Sequence, residues 1–194
     1  MARRLIVSDY ITLDGVVQDP VGMENSGLGN WVGPYRRGPA GDTIMHEQLL
    51  AADIVLLGRT TYDGFAPVWP TVRDETGFAD RLNAMRKYVA SNTLARADWT
   101  NTSVLSGDVT GAVRALKAED GGDVLVYGSA ALVHGLLRAE LVDEIALMIY
   151  PTVLGRGTRL FPDGYAGHFE TVRVETLGSG IVHAAYRLAR TAGQ

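Results

Sequence analysis

Hydroxyl and basic residues follow short apolar stretches that are typical of buried strands. At residues 56–62 such a stretch leads into Gly58, Arg59, Thr60 and Thr61 and then into a helical segment. Backbone amides at the beginning of a helix favour an anion, and arginine can bind phosphate through two parallel hydrogen bonds. The junction therefore predicts a phosphate-binding turn, although a tight turn with a threonine helix cap explains the same residues.

A second junction repeats this order at residues 124–132, where an apolar stretch leads into Gly128, Ser129 and Ala130. Small residues would let the phosphates of a ligand approach the backbone closely. The G-x-G-x-x-G pattern of ordinary dinucleotide-binding folds is absent from the sequence, and a structural turn explains the junction equally well. A third junction, at residues 151–161, contains Gly155 and Gly157, and there the simple turn is the favoured interpretation.

The elements around these junctions alternate between strand and helix. Predicted strands cover residues 5–7, 53–58, 87–91, 103–106, 123–127 and 144–150, and predicted helices cover residues 43–52, 60–65, 77–85, 109–117 and 132–137. Asp42 or Thr43 would cap the first helix, and residues 15–41 before it form a long irregular loop. Residues 170–176 and 182–189 alternate in polarity around Gly178-Ser179-Gly180, which predicts a hairpin. These patterns predict an α/β fold, with one domain over residues 1–194 and a mostly parallel central sheet that ends in an antiparallel hairpin.

The composition limits the classes of function. The 194 residues carry a net charge of −4 and contain no cysteine, which excludes disulfides and cysteine-ligated metal sites. The acidic balance gives no support for nucleic-acid binding. The apolar run after Arg4 stops at Ser8, too short for a signal peptide, and no run approaches the length of a membrane span. We therefore expect a cytoplasmic protein with no metal, no nucleic-acid partner and no membrane partner.

Taken together and in order, the motifs resemble the dihydrofolate-reductase-like superfamily. The resemblance is closest to the reductase domain of bacterial riboflavin biosynthesis and its stand-alone relatives. It covers nearly the whole chain and rests on residues 8–15, 58–62, 88–91, 127–129, 141–144 and 151–161. It implies a three-layer fold, NADPH as cofactor, and an activity like that of 5-amino-6-(5-phosphoribosylamino)uracil reductase or dihydrofolate reductase. One departure is that Gly128-Ser129 replaces a Gly-Gly pair of the family.

The resemblance also implies roles for individual residues. Arg59 with Ser91 or Asn92 would face the 2′-phosphate of the cofactor, and Arg96 is a looser candidate. The residues that would contact the pyrophosphate, in the turns that begin at Gly58 and Gly128, are Thr60, Thr61, Gly128, Ser129 and Ala130.

A reductase of this kind also needs a proton source and a surface for the substrate ring. Asp42 and Asp14 are the candidate acids, although a helix cap and a turn residue explain them more simply. Asp9 and Glu47 are further carboxylates near the expected cleft. Trp31 and Tyr35 could stack on a flat heterocycle or could form a small core within their own loop.

The predicted function is NADPH-dependent reduction of a small heterocyclic or carbonyl compound, pterin-like or similar to a riboflavin precursor. The alternative is a non-catalytic protein that binds a nucleotide or a pterin on the same fold. The resemblance also implies a homodimer. The apolar strand at residues 145–149 adds weak support, because it needs cover on both faces, from a second subunit or from a helix of its own chain.

Overall fold

Eight strands form one sheet in the computed structural model, which describes residues 2–189. The strands are β1 (Leu5–Thr12), β2 (Ala52–Gly58), β3 (Arg86–Ala90), β4 (Thr102–Leu105), β5 (Asp123–Tyr127), β6 (Glu144–Tyr150), β7 (Phe169–Thr176) and β8 (Val182–Leu188). Their order across the sheet is β4-β3-β2-β5-β1-β6-β8-β7. Strands β1 to β6 pair in parallel, whereas β8 is antiparallel to both β6 and β7. The predicted α/β fold, with its parallel sheet and final antiparallel hairpin, is confirmed.

Helices cover both faces of the sheet and make three layers. They are α1 (Gly38–Ala51), α2 (Arg59–Phe65), α3 (Phe78–Ala84), α4 (Val109–Ala118) and α5 (Ala130–Arg138). Helices α1, α2 and α3 contribute Leu49, Tyr62 and Leu82 to the core on one face. Helices α4 and α5 contribute Val113 and Leu136 to the core on the other. The central strands are apolar on both sides because both faces are covered.

The start of α1 differs from the prediction. The helix begins at Gly38 rather than after Asp42 or Thr43, and Pro39 lies in its first turn. Proline suits that position because its φ angle is already helical and the missing N–H would have no partner within the helix. Asp42 is therefore a residue of the helix rather than its cap. The irregular segment after β1 ends at Arg37.

Strand β6 is covered by its own chain. Ala146 and Met148 join the core on the α1 face, and Ile145 and Leu147 join the core on the α5 face. Its apolar character therefore needs no second subunit, and the support for a dimer that came from this strand is removed.

The parallel arrangement gathers the functional junctions at one edge of the sheet. Strands β2, β3 and β5 end at Gly58, Ala90 and Tyr127. Each is followed by a segment that is predicted from the sequence to contact the cofactor. The carboxyl ends of parallel strands are where α/β folds bind ligands. Within residues 2–189, no helix is both long and apolar enough to cross a membrane.

Candidate active site

Two adjoining cavities open at the carboxyl ends of the strands. The larger has a volume of about 870 Å³ and lies mainly against α1, α2 and the loop after β1. The smaller has a volume of about 550 Å³ and lies between the ends of β2 and β3 and the beginning of α5. Val17, Glu24, Thr60 and Ser129 line both cavities. Ligands in the two cavities would therefore meet at these four residues.

Most of the predicted cofactor residues lie around the smaller cavity. Those that line it are Gly58, Arg59, Thr60, Ser91, Asn92, Ser129 and Ala130. Thr61 and Gly128 line the larger cavity, next to the boundary. Arg96 lines neither cavity, and its guanidinium pairs with Asp98 at 2.8 Å.

The turns after β2 and β5 interlock, and this explains their glycines. A Cβ at Gly58 would overlap the side chain of Ser129. Gly128 has a φ of +58°, and a Cβ there would lie 2.9 Å from Oγ1 of Thr61. The hydroxyls of Thr61 and Ser129 lie 2.7 Å apart and share a hydrogen bond. Gly58 and Gly128 thus let two turns approach closely at the boundary between the cavities.

The beginning of α5 has the properties of an anion site. Ser129 has a φ of +62° and makes no side-chain cap to the helix. The first backbone amides of α5 therefore have no capping acceptor, and the positive end of the helix dipole adds to their attraction for an anion. Ala130 and Ala131 leave space in front of these amides, since both line the smaller cavity with methyl groups.

Arg59 lies at the entrance of the smaller cavity and already has an acidic partner. Its Nε is 2.8 Å from both carboxylate oxygens of Asp63, four residues further along α2. Its Nη1 lies 3.5 Å from Oγ1 of Thr93. A phosphate that bound Arg59 would have to compete with Asp63 for the guanidinium.

Asp9 is the most unusual group in the larger cavity. It lies in the middle of β1, is only 8% exposed, and accepts a hydrogen bond from its neighbour, the backbone amide of Tyr10, at 2.9 Å. Its Oδ2 is buried with no hydrogen-bond partner. Burial, and to a smaller degree the charge of Glu24, raises the pKa of Asp9 to about 8. The carboxyl is therefore protonated at neutral pH and can donate a proton into the cavity.

Tyrosines and an arginine lie on the α1 side of the same cavity. Arg37 donates to the hydroxyl of Tyr10 at 2.6 Å and to the carboxylate of Asp42, also at 2.6 Å. The hydroxyl of Tyr127 is buried and has no hydrogen-bond partner. Burial raises the pKa of Tyr127. The cavity wall thus offers two unpartnered polar groups, the Tyr127 hydroxyl and Oδ2 of Asp9.

The two acids that the sequence favoured lie in less suitable places. Asp42 lines the larger cavity, but its side chain is 60% exposed and paired with Arg37. Asp14 lines neither cavity; it accepts hydrogen bonds from the hydroxyl of Thr12 at 2.6 Å and from the amide of Gly155 at 2.7 Å. Asp14 therefore joins two turns, as the simpler interpretation had it.

The aromatic residues of the long loop pack within the protein. Trp31 is buried, donates from Nε1 to the carbonyl of Gln18 at 2.9 Å, and contacts Tyr150 edge to face. Tyr35 also contacts Tyr150 and donates to the carbonyl of Pro151. Neither lines the larger or the smaller cavity, so the interpretation as a small core of the loop fits their positions. Three other aromatic side chains that line the larger cavity, Phe65, Trp69 and Phe78, were not singled out from the sequence.

Comparison with known proteins decides the family. The family described as RibD C-terminal domain matches residues 3–183. The chain belongs to this family. It is 30% identical over 189 residues to the uncharacterized protein YyaP of Bacillus subtilis (strain 168), covering 95% of this chain and 94% of YyaP.

Solved structures of other family proteins and of dihydrofolate reductase share the fold. A putative riboflavin biosynthesis protein from Shewanella sp. PV-4 superimposes with a TM-score of 0.75 at 20% identity, covering 98% of this chain and 100% of the other. The dihydrofolate reductase from Enterococcus faecalis, complexed with NADP(H) and RAB-propyl, superimposes with a TM-score of 0.63 at 13% identity, again covering 98% and 100%. This RibD C-terminal domain has the dihydrofolate-reductase-like fold that its sequence predicted.

Proposed function

We propose that this RibD C-terminal domain is an NADPH-dependent reductase of a small heterocyclic or carbonyl compound. The observation that carries the proposal is the pair of adjoining cavities with four lining residues in common. A nucleotide in the smaller cavity and a substrate in the larger would come into contact at this boundary. Hydride transfer needs such contact between the two reacting groups.

The smaller cavity fits a dinucleotide phosphate in three respects. Gly58 of the interlocked turns lines this cavity without a side chain, the first amides of α5 have no capping acceptor, and Arg59 offers a guanidinium at the entrance. NADPH, when bound, would supply the hydride. In this arrangement Ser129, Ala130 and Thr60 would hold the pyrophosphate, whereas Arg59, Ser91 and Asn92 would hold the adenosine end.

Asp9 takes the role of proton donor in this proposal, in place of Asp42 or Asp14. It is buried and protonated at neutral pH, and its Oδ2 makes no other hydrogen bond. Asp9 lines the larger cavity, and Glu24, whose charge contributes to its raised pKa, lines both cavities. A group with a pKa near neutrality is well suited to general acid catalysis.

Turnover separates a reductase from the alternative, a non-catalytic nucleotide- or pterin-binding protein. The experiment follows NADPH oxidation by absorbance with a panel of cyclic imines, pterins, pyrimidines and ketones. We expect oxidation with at least one C=N or C=O compound, and we expect the reduced product in equal amount. NADPH binding without oxidation by any compound of the panel would favour the alternative, a non-catalytic binding protein. If NADPH neither binds nor is oxidised, the cofactor assignment is contradicted.

Arg59 is expected to give NADPH preference over NADH. Arg59→Ala should weaken NADPH binding by about 1.5 kcal/mol, the lower end for a hydrogen bond to a charged group, because Asp63 competes for the guanidinium. Binding of NADH should change much less. Asp63→Asn should have the opposite effect and strengthen NADPH binding. The measurement is isothermal titration calorimetry with both cofactors.

The control for this pair is Arg86→Ala. Arg86 is the first residue of β3, at the end of the strand away from the smaller cavity, and it pairs with Glu119. It should leave both affinities unchanged. Equal losses of NADPH and NADH in Arg59→Ala would remove Arg59 from the 2′-phosphate site.

We also propose that the protein is a homodimer, as the sequence resemblance implies. With β6 covered by its own chain, one exposed surface that could serve is the edge strand β7, where Val172 and Val174 are 46% and 58% exposed. Light scattering should give twice the monomer mass of 20.9 kDa. Val174→Lys should return the monomer mass if β7 forms the interface. A monomer mass for the unaltered protein would refute the dimer.

A further inference from the structure

The charge of the larger cavity differs from that of the smaller. Among residues 2–189, six acidic residues line it, and Arg37 is its one lysine or arginine. The acids are Asp9, Asp19, Glu24, Asp42, Glu47 and Asp74, of which Asp9 is protonated at neutral pH. The smaller cavity is lined by one acid and one arginine, Glu24 and Arg59, together with hydroxyl and amide side chains. The larger cavity is thus acidic, and the smaller is nearly neutral.

Few of these acids are neutralised by a cation. Arg37 pairs with Asp42, and Arg173 lies 3.4 Å from Glu47. The ion pairs among residues 2–189 include none at Asp9, Asp19, Glu24 or Asp74. The one arginine of the lining is therefore occupied, while most of the carboxyl groups have no cationic partner.

Two of the unpaired acids are ionised at neutral pH. The hydroxyl of Thr76 and the amide of Ala79 donate to Asp74 and lower its pKa to about 2. Hydrogen bonds from Ser26 and Glu24 outweigh the effect of burial and lower the pKa of Asp19. An anion that entered the cavity would meet these charges, whereas a cation would be attracted by them.

The remaining wall is apolar and aromatic, with two polar atoms that lack partners. Phe65, Trp69 and Phe78 lie on one side, and the Tyr127 hydroxyl and Oδ2 of Asp9 are buried without hydrogen bonds. Buried polar groups almost always have partners in folded proteins. These two residues line the cavity, so a ligand with hydrogen-bonding nitrogen could supply what both lack.

We propose that the larger cavity binds an apolar ring compound with a positively charged nitrogen and disfavours compounds that carry phosphate or carboxylate groups. This inference rests on the proposed function, since it assigns the larger cavity to the substrate. On this proposal the natural substrate is not 5-amino-6-(5-phosphoribosylamino)uracil, because that compound carries a phosphate. The aromatic wall holds the ring by stacking, and the carboxyl groups hold the nitrogen.

Three probes with one ring and different charges test the proposal. They are 1-naphthylmethylamine, a cation at pH 7, the neutral 1-naphthalenemethanol, and the anion 1-naphthyl phosphate. Isothermal titration calorimetry with the full chain should give the amine an affinity at least tenfold higher than that of the phosphate, with the alcohol between them. Equal or tighter binding of the phosphate would overturn the proposal, as would the absence of binding by all three.

A variant links the preference to the cavity. Glu24→Gln should weaken binding of the amine about two- to fivefold, the range for one partly exposed charge pair, and should leave the alcohol unchanged. The matched control is Glu170→Gln, which neutralises an exposed acid on β7 and should change neither affinity. Equal effects of the two variants on the amine would show a general charge effect and contradict the assignment to this cavity.

Titration of NADPH into the same samples distinguishes a failure of the proposed reductase function from a failure of the proposed charge preference. If the charge preference appears but NADPH does not bind, the proposed function fails and the cavity assignment stands. If NADPH binds but the phosphate probe competes best, the charge inference fails alone.

Discussion

Asp9→Asn is expected to lower kcat about 100-fold with any substrate that the protein reduces. General acid catalysis contributes about 10²–10⁴-fold to rate, and asparagine keeps the shape of the side chain but has no acidic proton to give. NADPH affinity should change little, since Asp9 lines the larger cavity and not the smaller. The measurement is steady-state NADPH oxidation beside a binding titration of the same preparation.

The pH dependence of the rate supplies a second readout for Asp9. With its pKa raised to about 8 by burial, Asp9 holds its proton at neutral pH and loses it in alkali. The kcat of the unaltered protein should therefore fall above about pH 8, and this decline should be missing in Asp9→Asn. An unchanged kcat in a folded Asp9→Asn variant would exclude Asp9 as the proton donor.

Stability provides the control for folding. The pKa of Asp9 in the folded protein lies above the value of about 3.9 of an unfolded chain, so the folded state binds more protons between these values. The free energy of unfolding should therefore decrease as pH rises from about 4 to about 8. Asp9→Asn removes this contribution, and urea denaturation at both ends of the range should show a smaller difference than in the unaltered protein. Asp42→Asn, at an exposed acid of the same cavity, is the matched control.

Gly128→Val is expected to abolish measurable NADPH binding. The substitution places a branched side chain at the boundary between the cavities, where even a Cβ would lie 2.9 Å from Oγ1 of Thr61. Valine also disfavours the φ of +58° at this position, which costs about 1–3 kcal/mol of stability. Circular dichroism must therefore accompany the NADPH titration.

Two further variants test the same turn if Gly128→Val folds poorly. Ala130→Asp places an acid in the first turn of α5, where its charge interacts favourably with the positive end of the helix dipole, so the fold should persist. The same charge repels a pyrophosphate, so NADPH binding should weaken. Ser129→Gly relieves the positive φ of Ser129 and keeps the backbone amide through which this residue would hold the pyrophosphate, so binding should be retained. Undiminished NADPH affinity in a folded Gly128→Val and in Ala130→Asp would remove this turn from the cofactor site.

The sequence predicted the elements best where local patterns and burial agree. The continuous apolar runs of β5 and β6 gave their observed bounds. The start of α1 was missed because Asp42 resembles a helix cap, although Pro39 carried the better signal. Local cues compete at helix ends, and only the packing of the helix decides between them.

The surroundings of the loop aromatics and of Asp9 were harder to predict because they depend on contacts between distant segments. Trp31 and Tyr35 pack on Tyr150, more than a hundred residues away, and nothing in their own loop indicates that contact. Asp9 was visible as a carboxylate in an apolar strand, but the pattern of β1 alone does not tell whether its side chain meets water or a closed cavity. The pairing of Arg59 with Asp63, by contrast, follows the i, i+4 spacing of a helix and could have been inferred.

Calorimetric titration of NADPH into the unaltered protein is the most direct test of the proposed function. We expect one NADPH per chain in the smaller cavity, bound with micromolar or tighter affinity, and a weaker affinity for NADH because of Arg59. The absence of binding by both cofactors at millimolar concentration would contradict the assignment of the smaller cavity and, with it, the proposal that this RibD C-terminal domain is a reductase.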